Sequence, residues 1–200
     1  MPSSSTAIGD WAWLEGRASV IAPRLLGCTV RHGDRAGTIV EVEAYEGPDD
    51  AASHAYRGPT PRSAVMFERA GLLYVYRSYG VHWCANVVCG PEGTGSALLI
   101  RALEPTAGID AMWGDRPKAK RPTDLASGPG KLCAALGIDG DHYGVDLLDP
   151  TSGIRLESGT APADLQVAIG PRIGITKAVD RPWRFAVADN PHVSRPRPRR

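Results

Sequence analysis

The chain has 200 residues, 42% of them hydrophobic, which suits one globular domain with a single core. No apolar run approaches the ~20 residues that a membrane-spanning helix needs, and no signal-peptide pattern opens the sequence, so we expect a soluble cytoplasmic protein. The formal net charge of +1 excludes a uniformly basic surface, so any nucleic-acid contact has to come from local clusters of cations.

The first predicted elements are a helix and a strand that carries two carboxylates. The helix ends at Gly27, after an apolar stretch that Pro23 interrupts. A strand pattern follows from Gly37 to Tyr45, with mostly apolar residues at even positions and with Glu41 and Glu43 at odd positions. Because side chains alternate across a strand, one face should enter the core while the other presents two carboxylates and a tyrosine.

The rest of the chain is predicted to contain clustered strands and short helices. Short helices are predicted after Thr60-Pro61, from Pro105 to Gly114 and from Lys131 to Leu136, and strands from Leu72 to Tyr79, Trp83 to Cys89 and Ala97 to Leu103. The strands do not alternate regularly with helices, as they would in a parallel sheet. We therefore predict the α+β class, with a single domain built on a mostly antiparallel curved sheet flanked by short helices.

Composition divides the chain into one domain and two tails. Residues 1–9 are rich in serine, and residues 191–200 alternate arginine with proline, which prevents a helix. We expect both tails to be disordered and residues 10–190 to form the domain. The second tail would be an extended basic arm able to hold DNA, although a solvated terminus is the simpler alternative.

Basic residues also cluster at two places inside the domain. The stretch from Ala55 to His82 has four arginines against one acid, and the stretch from Arg116 to Lys131 has five cations against one acid. Either cluster could be part of a DNA-binding surface. Solvated loops are the structural alternative for each cluster taken alone.

Glu43 is a candidate general base. A carboxylate beside an aromatic residue suits this work, because partial desolvation raises its pKa toward neutrality. Glu41 shares its strand face, and a solvated glutamate is the alternative for either residue. Together with Asp50 and His54, the two glutamates could instead bind a divalent metal in a metal-dependent hydrolase. The acids follow no recognised ligand spacing, so we expect no metal and no cofactor.

The four cysteines include no Cys-x-x-Cys pair, so we expect buried thiols rather than disulfides or a zinc site.

Two polar residues lie in apolar strands and need partners. Arg101 lies within the apolar strand from Ala97 to Leu103, and its charge requires an acid. Glu43 is one candidate partner, and a structural salt bridge with another acid is the alternative. Asn86 is flanked by apolar residues, so we expect it to be buried and hydrogen-bonded.

Three tyrosines, Tyr74, Tyr76 and Tyr79, fall within six residues. Such side chains can stack on a nucleobase while their hydroxyls form hydrogen bonds, and core packing is the alternative. Tyr76 and Tyr79 are three positions apart and cannot share a face of a regular strand. One of them could therefore line a pocket while the other faces outward at the strand end.

Several ordered blocks resemble the alkyladenine (3-methyladenine) DNA glycosylase family in its bacterial form. These blocks are Ile39 to His54, Thr60-Pro61-Arg62, Leu73 to Tyr76, Leu99 to Pro105, Gly128 to Leu136 and Arg172-Ile173-Gly174. The resemblance as a whole covers roughly residues 18 to 190. The resemblance implies a base-flipping repair enzyme that acts as a monomer, associated with the nucleoid through its DNA substrate.

The resemblance also implies the reaction. Glu43 matches the residue that deprotonates a water aimed at the sugar C1′, and Arg101 matches the arginine that helps to hold this water. The expected substrate is double-stranded DNA with an alkylated or deaminated purine, of the 3-methyladenine, 7-methylguanine, hypoxanthine and ethenoadenine class. No lysine lies in the Glu43 stretch to form a Schiff base, which favours a monofunctional enzyme that leaves an abasic site for base excision repair.

The remaining matches concern the base and the DNA. Tyr45, His54 and Tyr76 match the residues that sandwich the flipped base, and Asn86 matches the pocket-floor asparagine that discriminates among purines. Tyr79 matches the tyrosine that wedges into the base stack. Arg62 and Lys131 match contacts to the DNA backbone. A non-catalytic binder of distorted DNA, which would use Tyr79 without releasing a base, is a further alternative.

Overall fold

A curved antiparallel sheet positions most of the candidate residues. The structure is a computed structural model that describes residues 10–159 and 166–198, and within these residues the sheet has eight strands. The strands are β1 (Thr29–His32), β2 (Arg35–Tyr45), β3 (Leu73–Ser78), β4 (His82–Cys89), β5 (Ser96–Ala107), β6 (Ile154–Glu157), β7 (Val167–Gly170) and β8 (Arg184–Val187). Their order is β3-β4-β5-β2-β1-β6, with β8 paired to β2 and β7 paired to β8.

Short helices cover the sheet. The described part of the chain has three α-helices, α1 (Ala18–Leu25), α2 (Ile109–Asp115) and α3 (Pro129–Leu136). Helix α3 begins with proline and ends before Gly137, whose φ of 71° lies in the left-handed region that favours glycine. Leu25 of α1 and Leu132 of α3 pack in the same core cluster as Leu98 of β5. The predicted α+β class is confirmed, and the sheet curls into a half-barrel.

The predicted alternation of β2 is interrupted at Val40. The pairing of β2 with β5 shifts on both sides of Glu41, which is the signature of a β-bulge. Ile39 and Val42 both face the main core, while Val40 packs in a small separate cluster with Ala102 of β5. The prediction that the even positions share one apolar face is therefore wrong on the amino-terminal side of the bulge.

Two predicted helices are shorter than expected. Strand β5 continues to Ala107 and pairs Pro105 with Gly37 of the long strand β2, so α2 begins only at Ile109. The pairing shifts next to this proline, where an irregular ladder tolerates its missing N–H. After Thr60-Pro61 the chain makes a turn and then one turn of 3₁₀-helix, Ala64–Phe67. There the hydroxyl of Tyr143 accepts a hydrogen bond from the N–H of Val65 at 3.0 Å, so a tertiary contact takes the place of a helical one.

The core continues past the predicted boundary at residue 190. Val193 and Ser194 are buried, and Val193 packs in the small cluster beside Val40. Val193 and Ser194 are thus packed against the domain, although they lie within the tail that was expected to be disordered from Pro191 onward. The tail predicted for residues 1–9 lies outside the described residues. In the described part of the chain, no helix is long and apolar enough to cross a membrane.

Candidate active site

Glu43 has a fully buried carboxylate near the carboxyl-terminal end of β2. Its Oε2 accepts a hydrogen bond from the Tyr45 hydroxyl at 2.9 Å, and its Oε1 accepts one from the Ile173 N–H at 2.7 Å. The guanidinium of Arg101 lies 3.2 Å from the same Oε1. Burial raises the pKa of Glu43, whereas Arg101 and the two hydrogen bonds oppose this rise. The site thus holds a carboxylate that is more basic than an ordinary glutamate.

Glu41 lies two residues away on the same strand, but four hydrogen bonds occupy its carboxylate. It accepts from Nε of Arg101 at 3.0 Å and from Nε of Arg184 at 2.6 Å. The backbone N–H of Ser194 donates to its other oxygen at 2.8 Å, and the Ser194 hydroxyl donates at 2.9 Å. A carboxylate has about four lone-pair sites, so these donors leave Glu41 little capacity to bind a water. The geometry separates it from Glu43, which strand parity could not do.

Arg101 links the two glutamates. Only 8% of its side chain is exposed, and it contacts Glu41 through Nε and Glu43 through Nη1. Both predicted possibilities are therefore present, the partnership with Glu43 and a structural salt bridge with another acid. Arg101 also lines the cavity beside Glu43, so its charge reaches the space that a ligand would occupy.

A cavity of about 590 Å³ is lined by Tyr45, Arg101 and Ile173, which all contact the Glu43 carboxylate, although Glu43 itself is not among the lining residues. Its volume lies within the size range of small-molecule sites. Strands β2 to β5 contribute to its walls, together with the segment between β2 and β3, the β3–β4 turn, the first residue of α3 and the loop between β7 and β8. The lining includes Tyr45, His54, Arg62, Tyr76, Tyr79, Asn86, Arg101 and the residues from Ile173 to Lys177. We call this cavity the Glu43 pocket. It brings together all of the residues that the sequence predicted for base binding.

An aromatic cluster forms one side of the Glu43 pocket. The ring of His54 stands edge-on to Tyr76, with 4.6 Å between centroids, and Tyr76 stacks on Tyr74 at 5.5 Å. The hydroxyl of Tyr74 pairs with Nδ1 of His54 at 2.9 Å. Desolvation, followed by the charge of Arg62, lowers the pKa of His54 to about 4, although the residue as a whole is exposed. His54 is therefore neutral at pH 7 and leaves the pocket aromatic without adding positive charge.

The predicted separation of Tyr76 and Tyr79 is present in the structure. Tyr76 lines the Glu43 pocket from β3, whereas Tyr79 lies in the turn between β3 and β4 and is 90% exposed. The φ of Tyr79 is 49°, a conformation that residues with side chains rarely adopt. This turn holds a large aromatic side chain in solvent at the rim of the pocket.

The other predicted site residues lie at different depths. Asn86 is buried, and its side-chain N–H donates to the backbone carbonyl of Tyr74 at 3.0 Å. Arg62 is exposed and lies over the ring of Tyr76, 5.0 Å from the centroid, so it borders the Glu43 pocket. Lys131 is exposed in the first turn of α3 and lines a second cavity instead.

Arg172 contacts residues that surround Glu43, and it was not predicted as a site residue. Its buried guanidinium binds both carboxylate oxygens of Asp50 and lies 4.6 Å from the ring centroid of Tyr45. The next residue, Ile173, donates its N–H to Glu43. Arg172 thus fixes both the tyrosine and the loop that contact the Glu43 carboxylate. The available signal was the late match of Arg172-Ile173-Gly174, because nothing local connects this segment to β2.

Lys177 is the second residue that the sequence interpretation did not consider. It is exposed and lines the Glu43 pocket from the loop after β7. The Glu43 stretch contains no lysine, but a folded loop can bring an amine to a pocket from a distant position in the chain. A test of lyase chemistry therefore has to include this residue.

The four residues of the metal alternative do not converge. Asp50 is held by Arg172, Glu41 by two arginines and Ser194, and His54 by Tyr74. Within residues 10–159 and 166–198, no three histidine, cysteine, aspartate or glutamate side chains are grouped so that they could hold a metal ion. All four cysteines lie in these ranges, where they are buried and unbridged as predicted.

Comparison with known proteins identifies the family. The family model described as methylpurine-DNA glycosylase matches residues 12–191. A relative from Burkholderia lata is 51% identical over 192 residues, which cover 94% of this chain and 92% of that protein. Relatives from Rhodopseudomonas palustris and Nocardia farcinica are 52% and 53% identical, covering 90% and 86% of this chain and 84% of each relative. All three carry 3-methyladenine DNA glycosylase as a provisional name. The chain belongs to the methylpurine-DNA glycosylase family and is a DNA glycosylase, a hydrolase of N-glycosidic bonds.

Proposed function

We propose that this enzyme is a monofunctional glycosylase that flips alkylated or deaminated purines out of double-stranded DNA and leaves an abasic site. The observation that carries the proposal is the contrast between the two glutamates of β2. The carboxylate of Glu43 is desolvated beside the Glu43 pocket, whereas Glu41 is occupied by structural donors. We further propose that the enzyme acts as a monomer in the cytoplasm, on the DNA of the nucleoid.

The walls of the Glu43 pocket suit a cationic purine. Alkylation at N3 of adenine or N7 of guanine gives the base a positive charge, and aromatic faces attract cations. Tyr45, His54 and Tyr76 supply such faces, and His54 is neutral because its pKa is lowered to about 4. A protonated histidine at this position would repel the charged lesion. Asn86 provides the buried amide that would discriminate among purines.

In the proposed reaction Glu43 acts as the general base. Its carboxylate takes a proton from a water as the water oxygen bonds to C1′ of the sugar. The bond between C1′ and the base nitrogen breaks, and its electron pair remains on the base. This neutralises an alkylated purine as it leaves, whereas a neutral lesion such as hypoxanthine leaves as an anion and then takes a proton from solvent. Arg101 lies 3.2 Å from Glu43 and would help to hold the water. An alkylated purine needs no metal ion or covalent amine, because a cationic base is already a good leaving group.

DNA would be distorted and held at the rim of the Glu43 pocket. Tyr79, 90% exposed in its turn, would fill the gap that the flipped nucleotide leaves in the base stack. Arg62 beside Tyr76 would contact a phosphate near that nucleotide. These contacts would position the duplex, and the Glu43 pocket would read the base.

Base release from duplexes that contain hypoxanthine, 1,N6-ethenoadenine or 7-methylguanine tests the proposal. We expect the free base and an alkali-labile site for at least one lesion, no release from the undamaged duplex, and the same rate in excess chelator. Lesion binding without release would indicate a non-catalytic binder. Inhibition by the chelator that a divalent metal reverses would indicate a metal-dependent hydrolase. Strand cleavage without alkali, with borohydride trapping of the enzyme on DNA, would indicate a lyase and point to Lys177.

Replacing Tyr45 by phenylalanine should shift the acidic limb of the pH–rate profile to higher pH. The hydroxyl of Tyr45 donates to Glu43 and lowers the pKa of that carboxyl, so its loss should raise the pKa further. A general base works only when deprotonated, and a higher pKa therefore removes activity at a higher pH. The measurement is kcat/KM from pH 4 to 8 on a hypoxanthine duplex, with Tyr56→Phe as a control at an exposed position. An unshifted limb would argue against titration of Glu43 as the cause of the acidic limb.

A further inference from the structure

A second cavity, about 460 Å³ in volume, shares the lining residue Arg101 with the Glu43 pocket. Besides Arg101, four cationic side chains from three separate segments line it, namely Arg121, Lys131, Arg195 and Arg197. We call this cavity the cationic groove. The sequence placed these four residues in an internal basic cluster and in a terminal tail, and the fold joins the two.

The charges of the cationic groove are only partly compensated. Asp124, the acid in the lining, pairs with Arg121 at 2.9 Å. Lys131 and Arg197 donate to neutral acceptors, the hydroxyl of Ser127 and the backbone carbonyl of Pro191. Even without Arg101, which the two glutamates bind, four cations against one acid leave the lining with an excess of three positive charges. This excess is large for a chain whose formal net charge is +1.

Buried anchors hold the carboxyl-terminal segment in place along the groove. Ser194 is bound to Glu41 through both its N–H and its hydroxyl. Arg184 donates to the backbone carbonyls of Ser194 and Pro196, at 3.2 and 2.8 Å. Arg195 therefore follows a fixed residue and Arg197 follows a hydrogen-bonded one. Both arginines therefore belong to a segment that hydrogen bonds hold against the domain, and not to an unstructured tail.

The cationic groove is adjacent to the Glu43 pocket. Arg101 lines both cavities, and the neighbours Gly128 and Pro129 line the groove and the pocket respectively. A DNA strand whose nucleotide enters the pocket has its next phosphates close by, since a strand carries one phosphate per ~3.4 Å of duplex axis. Arginine and lysine side chains are the usual protein contacts to DNA phosphates, so the cationic groove beside the Glu43 pocket is suited to bind them.

We propose that the cationic groove binds the phosphodiester backbone of duplex DNA next to the flipped nucleotide, with Arg195 and Arg197 as contacts. The inference rests on the proposed function for its substrate. It assigns the carboxyl-terminal segment to the substrate-binding surface and makes Arg121 and Lys131 part of the same contact. Binding in the groove is independent of sequence, so it acts on damaged and undamaged duplexes alike.

The test compares Arg195→Gln/Arg197→Gln with Arg24→Gln/Arg155→Gln in the full chain. The second pair removes the same charge from residues that line neither cavity. Fluorescence anisotropy gives the Kd for an undamaged duplex between about 50 and 200 mM salt. We expect the groove variant to bind at least about tenfold more weakly at the lowest salt. The slope of log K against log salt should become shallower by about one for each arginine–phosphate interaction that the substitutions remove, while the control pair keeps the wild-type slope.

An unchanged slope in the groove variant, or an equal change in the control pair, would overturn the proposal. A free nucleotide is the other source of a phosphate, so dAMP binding is measured on the same proteins. If the groove variant loses affinity for dAMP to the same extent as for the duplex, the groove is a mononucleotide site and the proposal is overturned. Thermal unfolding verifies that each variant is folded. Because the duplex is undamaged, failure of base release by the wild type rejects the proposed function without affecting this measurement.

Discussion

Replacing Glu43 by glutamine is expected to slow base release by about two to four orders of magnitude, the range that general base catalysis contributes. Glutamine keeps the size of the side chain and an oxygen that can accept from Ile173, but it cannot take a proton from water. Single-turnover release of hypoxanthine, with the enzyme in excess over a duplex, measures the chemical step directly. Affinity for the lesion duplex should not fall, because the aromatic walls of the Glu43 pocket are unchanged.

Glu46→Gln is the matched control for this substitution. Glu46 follows the same strand and is buried, but its carboxylate binds Arg17 and the N–H of Ser19, and neither of these partners lines the Glu43 pocket. Its variant should release the base at the wild-type rate. A Glu43→Gln rate within about threefold of wild type would contradict general base catalysis by Glu43, whose loss should exceed about 10²-fold.

The features of the site that depend on the pattern within a single strand could be predicted from the sequence. The run of alternating residues around Glu43 located the carboxylates, and the charge of Arg101 in an apolar strand required an acidic partner. These inferences succeeded because a strand fixes the positions of its own side chains. The same reasoning could not choose between Glu41 and Glu43, which both contact Arg101.

What separates the two glutamates comes from distant segments. Ser194, which occupies Glu41, is 153 positions away, and Ile173, which contacts Glu43, is 130 positions away. Local patterns carry no information about such contacts. At the carboxyl terminus an Arg-Pro alternation predicted a disordered arm, and composition gave no sign that the residues just before it are buried. The short anchor formed by Val193 and Ser194 precedes that alternation and fixes the segment to the core.

The structure of the Glu41 site leads to the second large effect, which is on stability. Glu41→Gln should lower the free energy of unfolding by about 3–5 kcal/mol, the usual cost of removing one partner from a buried ion pair. The side chains of Arg101 and Arg184 are 8% and 2% exposed and would lose the charge that both of them bind. For a chain of this size about 2–4 °C of melting temperature corresponds to each kcal/mol. Urea unfolding and thermal melting both measure the loss.

Glu43→Gln should cost much less stability than Glu41→Gln, although it removes the same charge from the same strand. Burial raises the pKa of Glu43, so folding disfavours its ionised form relative to the unfolded chain. By linkage, such a carboxyl contributes stability below its unfolded pKa and loses that contribution as the pH rises through its folded pKa. Above the folded pKa the carboxyl no longer contributes this stability, because it is ionised in the folded protein, where burial disfavours the charge. Glutamine then removes a charge whose burial is unfavourable. A stable Glu41→Gln protein that fails to release bases, beside an active Glu43→Gln protein, would reverse the two assignments. A larger stability loss at Glu41 together with a larger rate loss at Glu43 would establish one glutamate as structural and the other as the base.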